Sequence, residues 1–459
     1  MEVRRGTGRA APPSDPPVAP VDPVAAVAAG ATSPGADITG TTADTGADLV
    51  AAVAAALLAD GAETDKVVER AGQIARAAGG RVELRLDWTT CTVQYTDRSG
   101  RVARREFAAA PTTVGMNRVM AVDRAVEDFA AGRRTAAQTL TAVSRARALP
   151  PANTALFAAA CAVGAVCLAV IFGVDHWQAV GLIAVAAGGA GLLRRAIARR
   201  GGSNFTQVGA AALLAGLIGA AAVQLDLSSP LRLAAVCPCM VLVPGPHLLN
   251  GSFDLARLRI PLGIARLAFA TLTLIAIGAG LLVGLTLGGA QLVLEPAGRD
   301  VPLLVDAAAA GVVAVCYGVF YSAPLRVLVW PFAVGAAVHA LRWVALTHWH
   351  LQSAVAAGLA CLVAGLILLP VVRRYRIPFS AIGFASVVSL MPGLLVFRTL
   401  AALAMLQDAD AAGAPALIRS AVDDATVAGL TVLAMALGFL VAVAVHRAVA
   451  TRPARPVTP

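Results

Sequence analysis

Ten apolar segments follow one another after residue 150, and they leave few folds open to this chain. They lie near 153–172, 177–193, 206–225, 231–253, 262–288, 302–322, 325–346, 351–372, 378–406 and 422–446. Each is close to the roughly 20 residues that an α-helix needs to cross a bilayer. Only 14% of the residues are charged, against about 25% in soluble domains, and the deficit falls on residues 151–450. A soluble region followed by a polytopic membrane domain is the expected arrangement.

The connections between the segments assign a topology. One set carries Arg194, Arg195, Arg199 and Arg200, then Arg257 and Arg259, then Arg326, then Arg373, Arg374 and Arg376. The alternate set carries Asp175, Asp226, Glu295, Asp300, Asp408, Asp410, Asp423 and Asp424. Basic loops stay on the cytoplasmic side, so ten crossings with both termini cytoplasmic are expected, in the cell membrane. Arg133, Arg134, Arg145 and Arg147, before the first span, vote the same way. The formal charge of +10 is thereby accounted for without nucleic acid, and no basic stripe with interleaved aromatics suggests any.

Residues 1–45 read as a disordered tail, poor in large apolar side chains, with no uninterrupted apolar run of a signal peptide. Residues 46–150 read as a small α+β cytoplasmic domain. Ala47–Ala78 is helical in period, interrupted at Gly61, with apolar runs too short to span a bilayer. Val82–Leu86, Thr90–Tyr95 and Val102–Phe107 alternate as strands do, with a turn at Asp97-Arg98-Ser99-Gly100. Helices are expected near Thr113–Ala131 and Thr135–Ala148. No GxSxG, HExxH, Walker A or GxGxxG motif in its proper setting marks this region as an enzyme.

Two Pro-Gly pairs, Pro244-Gly245 and Pro392-Gly393, stand 148 residues apart. Each falls inside the fourth span of a block of five, the blocks covering 151–290 and 301–447, with a cytoplasmic tail at 448–459. Two consecutive blocks with an odd number of crossings enter the membrane from opposite sides, the arrangement of an inverted-repeat transporter with broken helices near the midplane. Proline removes a backbone donor and frees a carbonyl, and glycine lets a ligand approach. After the first pair, His247, Asn250 and Asp254 share one helical face, and Arg266 is placed to partner Asp254. A 148-residue shift sets Arg398 opposite Asn250, where it suits a substrate carboxylate. His339 and Arg342 are lesser candidates. Gly280, Gly284 and Gly288 mark close helix packing in lipid.

Seven cysteines, six of them in apolar spans, argue against a disulfide framework. Cys237-Pro238-Cys239 would suit Cu(I), but no P-loop, phosphorylated-aspartate motif or soluble metal domain accompanies it. His348-Trp349-His350 lacks a third ligand nearby, so no metal site is expected.

LLADGAETDKVVERAGQIA, the strands, RVMAVDRAVEDFAAGRRTAAQTLTAV, Pro150-Pro151, VPGPHLLNGSFDL and IGFASVVSLMPGLLVFRTL occur in an order that resembles the threonine/serine exporter family. The resemblance runs from about residue 50 to 446, in a fused two-half form. It implies a secondary transporter for threonine and serine driven by the proton motive force, with no cofactor. Relatives split into two polypeptides are linked to succinate export. Only Pro244, Gly245, Pro392 and Gly393 carry over as matching positions.

The expected fold is therefore an all-α polytopic membrane protein of ten transmembrane helices in two inverted five-helix repeats, with the α+β domain in front. The expected substrate site is Pro244, Gly245, His247, Asn250, Asp254, Pro392, Gly393 and Arg398. Arg398 would take the carboxylate and Asp254 the ammonium, with Asp254 or His247 exchanging protons. The partners are a small amino acid and the lipid bilayer; a homo-oligomer is left open. A dicarboxylate exporter is the alternative within transport. A membrane-anchored sensor or enzyme, acting through residues 46–150, is the alternative outside it.

Overall fold

A computed structural model describes residues 42–174, 176–227, 232–292 and 301–450. Most of both expected tails, and Asp175, Glu295 and Asp300 of the acidic loops, lie outside the described residues.

The N-terminal unit opens with α1 (Thr42–Ala59) and α2 (Thr64–Ala77), separated at Gly61. Gly61 has φ +81°, a left-handed conformation that glycine adopts without Cβ strain. Three strands, β1 (Arg81–Arg85), β2 (Thr90–Thr96) and β3 (Val102–Ala108), form an antiparallel sheet in the order β1-β2-β3. Val93 pairs with Leu84 on one side and Arg105 on the other. Two helices follow, α3 (Met116–Ala130) and α4 (Ala136–Arg147). Thr135 and Gln138 cap α4 reciprocally.

Two expectations about this unit are corrected. Helix α1 begins at Thr42, inside the segment read as disordered. It is also long and apolar enough to cross a membrane, although its apolar runs were expected to be too short. Its apolar surface is instead consumed within the unit. Leu49, Val50, Val53, Leu57 and Leu58 are at most 1% exposed, in a core shared with β2, β3 and α4.

The rest of the chain is helical. The elements are α5 (Thr154–Ile171), α6 (Trp177–Arg199), α7 (Asn204–Gln224), α8 (Leu233–Met240), α9 (Gly245–Ala256) and α10 (Ile260–Leu287). Then come α11 (Leu303–Phe320), α12 (Val329–Thr347), α13 (Ser353–Tyr375), α14 (Phe379–Val387), α15 (Gly393–Met405) and α16 (Ala414–Ala450). Among the described residues nine helices, α1 included, are long and apolar enough to span a bilayer, or up to eleven spans if each bent pair counts as one. The bent pairs are α8 with α9, at 50°, and the α14 segment with α15, at 67°. Exposed leucines and isoleucines on α10 (Leu272, Ile275) and α16 (Leu430, Leu433, Leu437) form outward apolar faces, as a lipid-facing surface requires.

Two sets of six helices share one pattern of neighbours. α5 packs on α6, α6 on α7, α7 on α8 and α10, and α9 on α10. In the second set, α11 packs on α12, α12 on α13, α13 on α14 and α16, and α15 on α16. The α7–α10 seam is built on small residues. A Cβ at Gly284 would strike the α7 backbone, and one at Gly288 would overlap Ala220. Gly438 meets the α13 backbone in the same way. Helices approach this closely only where side chains are absent.

Candidate functional site

The two breaks are alike in backbone and face one another. Pro244 caps α9 with φ −83° and ψ 55°, and Pro392 caps α15 with φ −80° and ψ 43°. A Cβ on Gly245 would overlap the Phe384 ring of α14, whereas one on Gly393 would lie 3.3 Å from Met240 of α8. Each glycine thus sits against the half-helix that precedes the other break. A carbonyl near the first break is satisfied from outside its own helix, because Tyr317 Oη donates to Met240 O at 2.7 Å.

The face His247, Asn250 and Asp254 is buried, at 6%, 2% and 2% exposure. Asp254 pairs with the fully buried Arg266 of α10 at 3.3 Å, the partner expected from sequence. The other contacts come from the N-terminal unit, which sequence spacing could not reveal. Thr64 Oγ1 donates to Asp254 Oδ2 at 3.0 Å and accepts from Arg266 Nη2 at 3.4 Å. Asn250 Nδ2 donates to Gly61 O at 3.1 Å.

The rest of this turn is anchored at several points. Glu63 accepts from the Ser380 N–H of α14, and Lys66 Nζ donates to the carbonyls of Arg376 and Ile377 at 3.3 and 3.4 Å. Asp65 pairs with Arg257, with Arg259 at 2.9 Å and with Arg447 at 2.8 Å. Glu127 pairs with Arg376. The loop between α1 and α2 therefore occupies the mouth formed by α9, α10, α14 and the end of α16. Asp60 holds the base of that loop beside Arg118, at 3.3 Å. Burial raises its carboxyl above the usual 3.8, with Arg118 opposing the shift.

Arg398 is placed apart from this cluster. It pairs with Asp424 of α16 at 3.0 Å, so the half-helix after each break is clamped to the last helix of its block by one ion pair. A further polar group lies at the second break. His339 Nε2 is 3.0 Å from Asp306 Oδ2 of α11, and His339 Nδ1 is 3.0 Å from Ser389 Oγ, in the short 3-10 turn 388–390 before Pro392. Exposures are 1%, 3% and 8% for His339, Asp306 and Ser389.

Two cavities meet at Val243. One, about 440 Å³, is lined by Val243, Pro244, His247, Arg194, Gln207 and Tyr321 among others. The other, about 380 Å³ and almost wholly apolar, lies between Val243, Pro392, Gly393 and α16. In the first, the Arg194 guanidinium stands over the Phe320 ring at 4.9 Å. Its Nη1 and the Tyr321 hydroxyl have no hydrogen-bond partner among the described residues. Arg195 differs, lying on Phe157 and donating to Ala152 O at 3.1 Å.

The structure thus brings His247, Asn250 and Asp254 together on α9, and Pro244, Gly245, Pro392 and Gly393 together at the crossing. It sets Arg398 on Asp424. Sequence reasoning missed Thr64, Asp306, Ser389, Tyr321 and a site role for Arg194. Arg194 had been counted as a topology marker, and Asp306 is an aspartate inside an apolar run, a signal that was legible. Among the described residues no group of three or more His, Cys, Asp or Glu side chains is placed to hold a metal ion. Cys237 and Cys239 are buried free thiols.

Residues 48–288 match a family model for threonine/serine exporters, and residues 306–445 match a second, Threonine/Serine exporter, ThrE. Neither a curated protein nor a solved structure matches the chain. With family matches covering both halves and a chain dominated by apolar helices, this is a multi-pass membrane protein that belongs to the threonine/serine exporter family.

Proposed function

We propose that the chain exports threonine and serine from the cytoplasm by proton antiport, with the substrate passing where the two broken helices cross. The observation that carries this reading is the reciprocal seating of the breaks, Gly245 on Phe384 and Gly393 on Met240. Transporters built from inverted repeats bind substrate at such discontinuous helices. The shared neighbour pattern of α5–α10 and α11–α16 supports two five-span repeats. Setting α1 within a soluble unit ahead of residue 150 leaves ten crossings, as the charge of the loops favours. Both termini are then cytoplasmic, in the cell membrane, and the protein acts without enzymatic chemistry.

The amino acid enters from the cytoplasm into the cavity at Arg194 and Tyr321, whose unpaired donors suit a carboxylate. It moves past Pro244, Gly245 and His247 to the crossing with Pro392 and Gly393. Asn250 and Asp254 receive the ammonium group once the Gly61–Thr64 loop withdraws. Arg398 receives the carboxylate on the outer side once Asp424 releases it. Alternating access comes from rocking one block against the other.

The test is efflux from proteoliposomes loaded with threonine, serine or succinate and given an imposed pH gradient. Threonine and serine should leave faster than from protein-free vesicles, and succinate should not. Succinate efflux without threonine efflux would support the dicarboxylate reading. No carrier-dependent flux of any of the three would end the transporter reading.

A further inference from the structure

We propose that Asp306, His339 and Ser389 form the proton-carrying group of this transporter and link proton binding to the second helix break. The proposal rests on the antiport reading above and names the residues that would perform the ion step.

An ionisable side chain inside a membrane domain is costly and is retained where it carries ions or protons. Asp306 and His339 are such a pair, on α11 and α12, both nearly sealed from solvent. Their pairing shares no residue with the Asp254–Arg266 and Arg398–Asp424 pairs. Unlike those pairs, theirs contains no arginine, which never gives up its proton, and an imidazole beside a carboxylate can bind and release one. Arg342 stands one turn further along α12 and donates to Ser353 Oγ of α13 at 3.1 Å, while the imidazole Nε2 is 3.0 Å from Asp306 Oδ2.

The third member gives the pair its mechanical connection. In the neutral His339 tautomer that carries its hydrogen on Nε2, the nitrogen 3.0 Å from Asp306 Oδ2, Nδ1 is an acceptor and the Ser389 hydroxyl must donate to it. One added proton converts the imidazole to imidazolium, and the pair goes from net charge −1 to 0. Nδ1 then carries a hydrogen and becomes a donor. The Ser389 O–H must turn away, so that its oxygen accepts. Ser389 lies in the turn whose backbone runs into Met391 and Pro392. Taking up one proton therefore reverses a hydrogen bond at the root of the break, and giving it up restores the first arrangement. Asp306 is close to the start of α11, at the end opposite the arginine-bearing loops, so the proton arrives from outside.

The experiment separates coupled flux from exchange, using the full-length protein in proteoliposomes. Threonine efflux driven by a pH gradient and proton movement, read with an internal pH dye, are compared with threonine/threonine exchange at equal pH. Wild type should do all three. Asp306→Asn and His339→Gln should lose gradient-driven efflux and threonine-linked proton movement while keeping exchange, which needs no net protonation change. Ser389→Ala, a change of one oxygen atom, should keep exchange and lower the number of protons moved per threonine.

If Asp306→Asn or His339→Gln still moves protons with threonine, the proposal is overturned. Loss of exchange together with coupled flux in Ser389→Ala, in protein that elutes as wild type does, would also overturn it, because the group would then serve packing. Wild type that exchanges threonine without moving protons would sink the antiport reading itself and this role with it. Coupled wild type alongside coupled variants would sink the proton role alone.

Discussion

The two broken spans share a backbone and differ in chemistry. After the first break, Asp254 on the half-helix pairs with Arg266 on the last helix of the block. After the second, the charges are exchanged, with Arg398 on the half-helix and Asp424 on the last helix. The first clamp is sealed, with side chains at 0% and 2% exposure, and is tied further by Thr64 from the N-terminal unit. The second is more open, at 10% and 11%. One architecture thus serves two roles. The first break faces the N-terminal unit and the polar cavity. The second faces an apolar cavity and carries the Asp306–His339–Ser389 group.

The largest expected effect comes from breaking the sealed clamp. Arg266→Gln leaves Asp254 buried without its main counter-charge, and losing one member of a buried pair costs about 3–5 kcal/mol. Arg398→Gln should cost less, since water reaches Asp424 more readily. Chemical unfolding of the two variants in detergent gives the ranking, and equal losses would mean that the clamps are energetically equivalent after all.

The glycines at the crossing come next. Gly245→Ala drives a methyl group into the Phe384 ring and should cost about 1–3 kcal/mol by overpacking, with loss of flux. Gly393→Ala meets only the flexible Met240 side chain, so it should be milder. Restored flux in Gly245→Ala/Phe384→Leu would locate the clash; an inert Gly245→Ala would argue that the breaks do not cross there.

A smaller effect is expected where the N-terminal loop docks. Thr64→Ala removes the hydroxyl shared by Asp254 and Arg266 and should cost about 1 kcal/mol. Hydrogen exchange should quicken at residues 61–66 and around 250–254, with little change at the second break. The smallest effect is Arg447→Gln, at a pair more than half exposed on the arginine side. Such pairs contribute about 0–1 kcal/mol, and the midpoint of thermal unfolding should hardly move.

Much of the frame was legible because hydropathy and proline act locally. The long apolar segments and both breaks are written in consecutive residues, and the glycines of α10 signal their packing without any partner in view. Asp254 with Arg266 could be paired because the two helices adjoin in sequence. What could not be read is non-local. Thr64 reaches Asp254 across 190 residues, and nothing near either position foretells the contact. Helix α1 passes as a membrane span by composition, and its packing against β2 and β3 could not be read from its own residues. Arg398 was assigned by counting along a repeat, which cannot foresee that Asp424 stands beside it.

The claim on which these comparisons rest is that both breaks meet at one point through which threonine passes. It is tested most directly by Met240→Cys/Gly393→Cys in a background whose seven native cysteines have been replaced. Oxidation should join the two positions and stop threonine efflux, reduction should restore it, and saturating threonine should change the rate of joining. Failure to cross-link, or full efflux with the bond in place, would contradict the claim.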